Sequence, residues 1–219
     1  MKNRHAAKTL HAYNKNADNY LDKFSDYAPY REKIKLFQQE YIPPHANVLD
    51  LGCGPGCNAR LIREEEPTCT ITGVDVSEKM ISLARELVPE CDFVVDDIRQ
   101  FTSDSFFHAV VASFCIVHLT DQETKALLST ISKRMVNNGS LYISFMEGVG
   151  EGLESTSFSS EHIYFNYYKT SWIQRLLAQN LFEVKEVLTE DYVEQNGATT
   201  KDVFIFATKN EVMGRHLNN

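Results

Sequence analysis

The sequence lacks the features that identify membrane, secreted and disulfide-stapled proteins. It has no run of about 18 apolar residues, so no transmembrane helix is predicted. Its first residues, MKNRHAAKTLHAYNKN, contain no apolar stretch of the kind that a secretory signal requires. The five cysteines form no CxxC pair, which argues against a disulfide framework and against a metal site. We therefore expect reduced thiols in a cytoplasmic protein.

The sequence also lacks an excess of positive charge. Its 219 residues carry 22 Lys+Arg against 30 Asp+Glu, a formal net charge of −8 with a pI near 5.4. A broad nucleic-acid surface needs clustered cations, and only Lys2, Arg4 and Lys8 form a modest basic group. A nucleic-acid partner is therefore not expected. The 43% apolar and 24% charged residues are ordinary for one globular domain with additions.

From Asn47 onward, short apolar runs alternate with helical stretches. The first five strand candidates are Val48–Leu51, Thr70–Val74, Phe93–Val95, Ala109–Phe114 and Leu141–Met146. This alternation is typical of parallel βαβ units covered by helices on both faces. Two later strands, 182–188 and 203–208, are joined by a short link that favours an antiparallel hairpin. The predicted fold is α/β: a doubly wound, seven-stranded, mostly parallel sheet with an antiparallel last strand.

The chain divides by pattern into a cap, a core, an insertion and a tail. Residues 1–42 are polar and helical and end at Pro43-Pro44, which cannot continue a helix. Residues 43–210 hold the α/β core, and 211–219 form a tail. Within the core, 148–170 is an insertion whose Gly- and Ser-rich part, 148–160, is predicted to be a mobile loop. A helix is predicted from Asp121 to Val136.

The glycine-rich segment VLDLGCGPG, residues 48–56, joins the first strand to the first helix of the core. Ligands of doubly wound sheets bind at such turns, and glycine lets the backbone approach them closely. A dinucleotide loop would need a third glycine where Cys57 stands, which disfavours a nucleotide-dependent oxidoreductase. Asp50 would be unfavourable beside a pyrophosphate but compatible with an ammonium or a sulfonium group.

Two further carboxylates end neighbouring strands. Asp75 follows the second strand and can accept hydrogen bonds from both hydroxyls of a ribose. Asp97 follows the third strand and can accept a hydrogen bond from an adenine amino group. Because the carboxyl ends of parallel strands lie along one edge, the three acidic residues are expected together.

These segments resemble those of the class I S-adenosylmethionine-dependent methyltransferases, of the small-molecule, type-11-like (UbiE-like) kind. The motifs that are similar, in the family's order, are VLDLGCGPG, ITGVDVS, FVVDDI, FHAVVASFCIVHL and NNGSLYIS. The resemblance extends over about residues 10–209. It implies a Rossmann-like methyltransferase fold, an N-terminal helical cap over the cofactor site, and S-adenosylmethionine as cofactor with S-adenosylhomocysteine as product.

Three positions depart from the family pattern. His108 stands where the fourth-strand motif usually has Asp, and Asn138-Gly139-Ser140 replaces the usual Pro-Gly-Gly. Asp96 occupies a place often held by glycine, so whether Asp96 or Asp97 contacts adenine stays open.

The resemblance also implies which residues bind the cofactor. In chain order they are Tyr13 and Tyr20 in the cap, Arg31 for the methionine carboxylate, Asp50 for the ammonium, Gly52, Cys53 and Gly54 beside the methionine part, Asp75 and Val76 for ribose and adenine, Asp97 and Ile98 for adenine, and Ser113 and Phe114 at the sulfonium. 

Catalysis of methyl transfer needs little from side chains beyond positioning. The reaction is an in-line displacement, and holding the reactants collinear can supply effective molarities of about 10⁵ M or more. A base is needed only if the acceptor must lose a proton; the candidates, in order, are His118, Glu147 and Tyr167. An aromatic segment supplies candidate substrate contacts at His162, Tyr164, Tyr167 and Tyr168, with packing of the insertion against the cap as the equal alternative.

The expected function is methyl transfer to an O or N atom of a small-molecule acceptor. The same chemistry on tRNA or protein, and a regulatory protein that binds S-adenosylmethionine without turnover, remain alternatives. No membrane partner is expected, and monomer and homodimer are both open.

Overall fold

The computed structural model describes residues 4–193, 197 and 199–211, and of Arg4 it describes the backbone only. Lys2 and all of the predicted tail except Glu211 lie outside the described residues. The helices are α1 Arg4–Lys15, α2 Ala17–Phe24, α3 Ala28–Tyr41, α4 Cys57–Glu65, α5 Glu78–Leu87, α6 Asp121–Arg134 and α7 Thr170–Gln179. The strands are β1 Asn47–Leu51, β2 Thr70–Asp75, β3 Asp92–Val95, β4 Phe107–Ala112, β5 Met135–Met146, β6 Gly150–Thr156, β7 Ser159–Tyr167, β8 Phe182–Val193 and β9 Thr199–Lys209.

Seven strands form one sheet in the order β3-β2-β1-β4-β5-β9-β8. Strands β1 to β5 pair in parallel, and β9 runs antiparallel to both β5 and β8. The strand order reverses between β1 and β4, the topological switch point at which ligands bind in open α/β sheets. The predicted fold, including its antiparallel last strand, is confirmed.

The central strands β1, β4, β5 and β9 are largely buried on both faces, as their nearly continuous apolar runs predict, whereas the edge strands β3 and β8 are partly exposed. Against one face lies a core that includes Leu128 of α6 and Leu177 of α7. Against the other lies a core that includes Phe37 of α3, Ile62 of α4 and Ile81 of α5. Helices on both sides therefore fix the sheet and leave only the strand ends to build a site.

The predicted mobile loop at residues 148–160 is wrong in its secondary structure. Gly150–Thr156 is strand β6, which pairs antiparallel with β7 as a separate two-stranded sheet. The hairpin is fastened to the N-terminal helices, because the Tyr164 backbone N–H donates to the Thr9 hydroxyl at 3.1 Å and the Asn16 amide donates to the Ser159 hydroxyl at 2.9 Å. The glycine and serine content of the segment gives no indication of this backbone pairing, which is why the prediction failed.

The helix predicted to reach Val136 ends earlier. Helix α6 stops at Arg134, and β5 begins at Met135 with an extended backbone. Strand β5 then passes through Asn138, which has a left-handed φ of 61°. No helix among the described residues is long and apolar enough to cross a bilayer.

Candidate functional site

A cavity of about 650 Å³ lies at the carboxyl ends of the parallel strands, under the N-terminal helices. Its volume is in the range of pockets that hold small molecules and cofactors. The residues that line it are Ala6, Ala7, Thr9, Leu10, Tyr13, Tyr20, Gly52, Gly54, Asp75, Val76, Ser77, Met80, Asp97, Ile98, Arg99, Gln100, Ser113, Phe114, Cys115, His118, Leu119 and Glu123. Four strand ends and the cap thus contribute to one site.

The glycine loop forms the floor of this cavity. The backbone N–H groups of Gly52 and Cys53 both donate to the Val74 carbonyl oxygen, at 2.8 and 3.1 Å, which turns the chain sharply after β1. Gly52 has a left-handed φ of 65°, and a Cβ there would lie 2.5 Å from the Cβ of Cys115. Only glycine fits at this point, because both the conformation and the space exclude a side chain.

Asp75, at the end of β2, is held by two backbone N–H groups. Its Oδ2 accepts from Gly54 at 3.0 Å and its Oδ1 from Ser77 at 2.9 Å. Burial raises the pKa of Asp75 although these hydrogen bonds lower it. Ser77 caps α5, since its hydroxyl accepts from the Met80 N–H at 3.1 Å. The carboxylate is thereby fixed in the cavity wall with lone pairs left to accept from a ligand.

Asp50 lies in β1 directly before the loop and is fully buried. Neither of its carboxylate oxygens makes a hydrogen bond of ordinary geometry within the described residues, although the side-chain amide of Asn58 lies close enough to act on the carboxylate. Burial raises the pKa of Asp50 to about 7, and the nearby Asn58 amide lowers it only in part. A buried carboxylate without hydrogen bonds of ordinary geometry is costly, so it indicates a place where a cationic ligand group would be stabilised.

A half-buried ion network follows the end of β3. Asp97 accepts from the Arg99 Nε at 2.8 Å, and Arg99 also donates through Nη1 to Glu123 at 2.9 Å. Burial raises the pKa of Asp97, but the Arg99 hydrogen bonds outweigh it and leave the pKa below the usual value. Asp97 lines the cavity, whereas Asp96 does not and instead accepts from the Asp97 N–H at 2.7 Å.

The segment after β4 carries backbone strain. Phe114 has a left-handed φ of 50°, which is uncommon for a bulky residue. The conformation is held because the Phe114 N–H donates to the Ser144 hydroxyl at 2.9 Å. The Phe114 ring also lies 4.8 Å from that of Tyr30 in the cap. Strain of this kind concentrates at ligand sites.

The cap meets the core through Tyr13 and His118. The Tyr13 hydroxyl lies 2.9 Å from His118 Nε2, and His118 Nδ1 lies 2.9 Å from the Tyr164 carbonyl oxygen. Burial lowers the pKa of His118 to about 4. Burial also raises the pKa of Tyr13 well above its usual value, so the hydroxyl keeps its proton.

Several predicted site residues lie outside the cavity lining. Of the predicted cofactor residues, Arg31, Asp50 and Cys53 do not line it, and the other ten do. Of the predicted bases, only His118 lines it. Glu147 instead accepts from the Thr170 N–H at 2.8 Å at the start of α7, and the Tyr167 hydroxyl donates to Glu154 at 2.8 Å.

The four predicted substrate residues also lie outside the lining. His162 is exposed. Tyr164 donates through its hydroxyl to Glu151, at 2.5 Å. The buried Tyr168 donates to the Leu119 carbonyl at 2.6 Å and stacks on Trp172. Their rings therefore pack the hairpin and the core.

Sequence reasoning did not predict eleven of the lining residues, and two groups among them have an identifiable structural origin. One is the face of α1 formed by Ala6, Ala7, Thr9 and Leu10. The other is the ion network of Arg99 and Glu123, whose members are 24 residues apart. The amphipathic spacing of α1 was a usable signal for the first group, whereas nothing local pairs Arg99 with Glu123.

Comparisons with known proteins agree with this geometry. Residues 48–139 match the family model described as a methyltransferase domain. Over 121 residues the chain is 36% identical to the trans-aconitate 2-methyltransferase of Enterobacter sp. (strain 638). The aligned segment covers 55% of this chain and 47% of that protein. The chain spans less than half the length of the curated relatives that it matches.

Two solved structures show how far the fold extends. The Burkholderia thailandensis 1,6-didemethyltoxoflavin-N1-methyltransferase, solved with 1,6-didemethyltoxoflavin and S-adenosylhomocysteine, has a TM-score of 0.72 at 18% identity and covers 94% of this chain and 89% of its own. The [4+2]-cyclase SpnF has a TM-score of 0.64 at 16% identity and covers 83% and 81%. At these identities the likeness shows the fold alone.

Proposed function

We propose that this chain is a class I S-adenosylmethionine-dependent methyltransferase, a proposal supported by the match of residues 48–139 to a methyltransferase domain and by the 36% identity to a trans-aconitate 2-methyltransferase over 121 residues. The proposed reaction moves a methyl group from S-adenosylmethionine to an O or N atom of a small-molecule acceptor by in-line displacement. The observation that carries the proposal is the position of Asp75, whose carboxylate is held in the cavity wall by hydrogen bonds from the backbone N–H groups of Gly54 and Ser77.

The residues present fit S-adenosylmethionine on three independent features. The buried Asp50, whose carboxylate lacks hydrogen bonds of ordinary geometry, matches a ligand that brings an ammonium group to the loop. Val76 is 45% exposed although it lines the cavity, so its apolar surface would be covered by an adenine ring. Gly54 has no side chain, so the space between its backbone and the Tyr20 ring is open. A Cβ at this position would lie in that space, 3.8 Å from the ring.

Each contact follows from the chemistry of the residue. Asp75 would accept hydrogen bonds from the ribose hydroxyls, and Asp97 rather than Asp96 would face the adenine amine. Ile98 offers a backbone amide to the same ring, while Gly52 and Gly54 approach the methionine part. Ser113 and Phe114 would border the sulfonium, with Tyr13 and Tyr20 closing the cavity from the cap. Arg31, Asp50 and Cys53 do not line the cavity, so we propose that they act on the cofactor through neighbouring groups and not by direct contact.

The protein's own contribution to catalysis is placement and exclusion of water. Bound S-adenosylmethionine supplies an electrophilic methyl group. The strained Phe114 and the rings of Tyr13 and Tyr20 border the cavity in which the acceptor must line up with that group. Water exclusion and alignment account for most of the acceleration that such a site needs. Of the three candidate bases, His118 is the one we propose, since it alone lines the cavity.

Calorimetric titration with S-adenosylhomocysteine tests the proposal. We expect saturable binding to the unmodified protein and at least tenfold weaker binding to Asp75→Ala, because a bidentate acceptor for the ribose is lost. Asp92→Asn, at an exposed position on the neighbouring strand β3, should bind as tightly as the unmodified protein. Binding of NAD⁺ in place of S-adenosylhomocysteine would overturn the assignment.

A small-molecule acceptor is favoured over tRNA or protein. The cavity is covered by α1 and α2, and the net charge of −8 offers no broad phosphate-binding surface. A binding protein without turnover is the second candidate, because a fold does not by itself determine the activity that it serves. The five unpaired cysteine thiols support a reducing compartment, and we propose the cytoplasm.

A further inference from the structure

A hydrogen-bonded chain of three residues lies along the cavity wall. It runs from the Tyr13 hydroxyl to His118 Nε2, at 2.9 Å, and from His118 Nδ1 to the Tyr164 carbonyl oxygen, also at 2.9 Å. Its three members come from α1, from the turn after β4 and from β7. Tyr13 and His118 both line the cavity.

The direction of each hydrogen bond follows from the chemistry of its atoms. A carbonyl oxygen only accepts, so Nδ1 carries the proton of the neutral ring. Nε2 is then a free lone pair, and it can only accept from the Tyr13 O–H. The Tyr13 oxygen keeps its own lone pairs, which remain available to a donor in the cavity. The chain is thus a path for a proton that leads from the cavity to an anchored imidazole.

The charge inventory of the cavity indicates what kind of acceptor would use this path. The described residues that line it include three carboxylates, Asp75, Asp97 and Glu123, and one cation, Arg99. The Arg99 guanidinium is already directed at Asp97 and Glu123. A polycarboxylate needs unpaired cationic donors. The cavity lining therefore favours an uncharged acceptor.

Resting on the function proposed above, we propose that the methyl acceptor is an uncharged compound that presents an O–H or N–H group to the Tyr13 oxygen and loses this proton through Tyr13 to His118. Tyr13 touches the acceptor and moves the proton, and His118 receives it. Tyr164 is a positioning residue, because its carbonyl fixes which ring nitrogen is the base.

The step balances in atoms and charge. A lone pair of the acceptor O or N forms the bond to the methyl carbon as the carbon–sulfur bond breaks, and that bonding pair stays on sulfur. The acceptor proton passes to the Tyr13 oxygen while the Tyr13 proton passes to His118 Nε2. One positive charge leaves the sulfur and one appears on the imidazole, so the site keeps its total charge. The imidazolium proton returns to solvent when the cavity opens.

The charge balance also explains how a weak base can serve here. Burial holds the pKa of His118 at about 4, so the ring is neutral and ready to accept throughout the neutral range. The titratable side chains that line the cavity with it are Tyr13, Tyr20, Asp75, Asp97, Arg99, Cys115 and Glu123. The Arg99 guanidinium is hydrogen-bonded to Asp97 and Glu123. Among the described residues, the hydrogen bond to Nε2 comes from Tyr13, so a proton that enters through Tyr13 passes to His118 and not to a carboxylate.

The decisive experiment is NMR of ¹³C,¹⁵N-histidine-labelled protein saturated with S-adenosylhomocysteine, with the His118 signals assigned from His118→Gln. We expect a neutral ring protonated at Nδ1 from pH 8 down to about 5.5, and a clear shift of the Nε2 resonance in Tyr13→Phe. The matched control, His162→Gln at an exposed position of the hairpin, should leave the His118 signals unchanged. An Nε2-protonated ring, an imidazolium at pH 6, or no response to Tyr13→Phe overturns the proposal.

Methyl transfer to three probes provides the second measurement. Phenol carries a proton on the attacking atom, pyridine is an uncharged nucleophile without one, and trans-aconitate is a tricarboxylate that is ionised at neutral pH. We expect Tyr13→Phe and His118→Gln to lower kcat for phenol by about 10² to 10⁴, the usual size of general base catalysis, and to lower kcat for pyridine far less. Preferred turnover of trans-aconitate, or equal losses for phenol and pyridine, overturns the proposal.

The two proposals fail separately. If S-adenosylhomocysteine does not bind in calorimetry, the proposed function fails before the proton path is in question. If it binds but none of the probes is methylated, the NMR result still decides: the Nδ1-protonated ring with a Tyr13-dependent shift supports the path, and the other tautomer excludes it.

Discussion

At the scale of single residues, the glycine loop is specified by sterics more than by charge. Gly52→Ala would place a Cβ 2.5 Å from the Cβ of Cys115 in a left-handed conformation. We expect the variant to lose about 1–3 kcal/mol of unfolding free energy and to bind S-adenosylhomocysteine at least tenfold more weakly. Urea unfolding and calorimetry measure both effects. Gly152→Ala is the matched control, because a Cβ there meets nothing within 4 Å; equal losses in the two variants would contradict the argument.

The buried Asp50 makes stability depend on pH. Its folded pKa, about 7, lies above the usual value of 3.8, so between these values the folded state holds a proton that the unfolded state has released. Stability therefore falls as the pH rises from about 4 to 7, by roughly 4 kcal/mol for a shift of this size. We expect urea unfolding to show this decline in the ligand-free protein.

The matching variant is Asp50→Asn, which cannot ionise. Its unfolding free energy should lack this part of the pH dependence and should exceed that of the unmodified protein at pH 8, where the unpaired charge is fully developed. A ligand ammonium should offset the same charge, so S-adenosylhomocysteine should bind the unmodified protein more tightly at pH 8 than at pH 5. Parallel pH profiles for the two proteins would show that Asp50 is not the source.

The residues that the sequence could predict are those whose roles are local. Gly52, Gly54 and Asp75 stand at fixed positions after β1 and β2, and the structure brings them to one cavity. The Tyr13–His118 hydrogen bond joins residues 105 apart, and the one between Thr9 and Tyr164 joins residues 155 apart. No spacing in the sequence identifies such pairs, because they form only when the N-terminal helices pack against the core and the hairpin.

At the scale of elements, hydrophobic patterning predicted the sheet and failed on the hairpin. Strands β1, β4 and β5 contain buried apolar runs, which are recognisable without knowing their partners, and the edge strand β3 is apolar in sequence although Val94 and Val95 are exposed. The pattern of β6 contains no buried residue, so it exists only through its pairing with β7 and their shared contact with the cap. A strand that is stabilised by partners and not by burial gives little signal in its own sequence.

The tip of this hairpin is inserted among the aromatic rings of the cap. Phe158 stacks on Tyr13 with ring centroids 5.6 Å apart, and it meets the edges of Tyr20 and Phe24 at 5.2 and 6.1 Å. Aromatic pairs of this kind contribute about 0.5–1.5 kcal/mol each beyond buried area. Phe158 is thus the main apolar link between the hairpin tip and α1 and α2.

Removing this link should open the cover of the site locally. In Phe158→Ala we expect hydrogen exchange of the β6–β7 amides to accelerate at least tenfold, since about 1–3 kcal/mol of contact energy is lost. The amides of β1 and β4 should keep their protection. Val149→Ala, at a side chain that is 78% exposed next to the hairpin, is the control. Unchanged exchange in Phe158→Ala would mean that backbone pairing alone holds the hairpin.

At the scale of the whole molecule, the site is built from parts of the chain that are far apart. The core supplies the floor through the ends of β1, β2, β3 and β4, and residues 4–24 supply the roof. The hairpin of residues 150–167 is hydrogen-bonded to that roof. Through the Tyr164 carbonyl oxygen it is also hydrogen-bonded to His118 at the floor. A ligand in the cavity contacts both floor and roof, so its binding should stabilise their association as well as the core.

This coupling predicts two effects of S-adenosylhomocysteine that should occur together. At about 100 times its Kd, a ligand that binds only the folded state adds roughly 2.7 kcal/mol, which raises the Tm of a domain of this size by about 5–10 °C. Hydrogen exchange should slow in α1 and in the β6–β7 hairpin as well as in the glycine loop, because the roof must stay closed over the ligand. Asp75→Ala, measured at the same ligand concentration, should show smaller changes in both. A rise in Tm with protection confined to the loop would mean that the ligand binds the core alone, and that the cap and hairpin serve the acceptor instead.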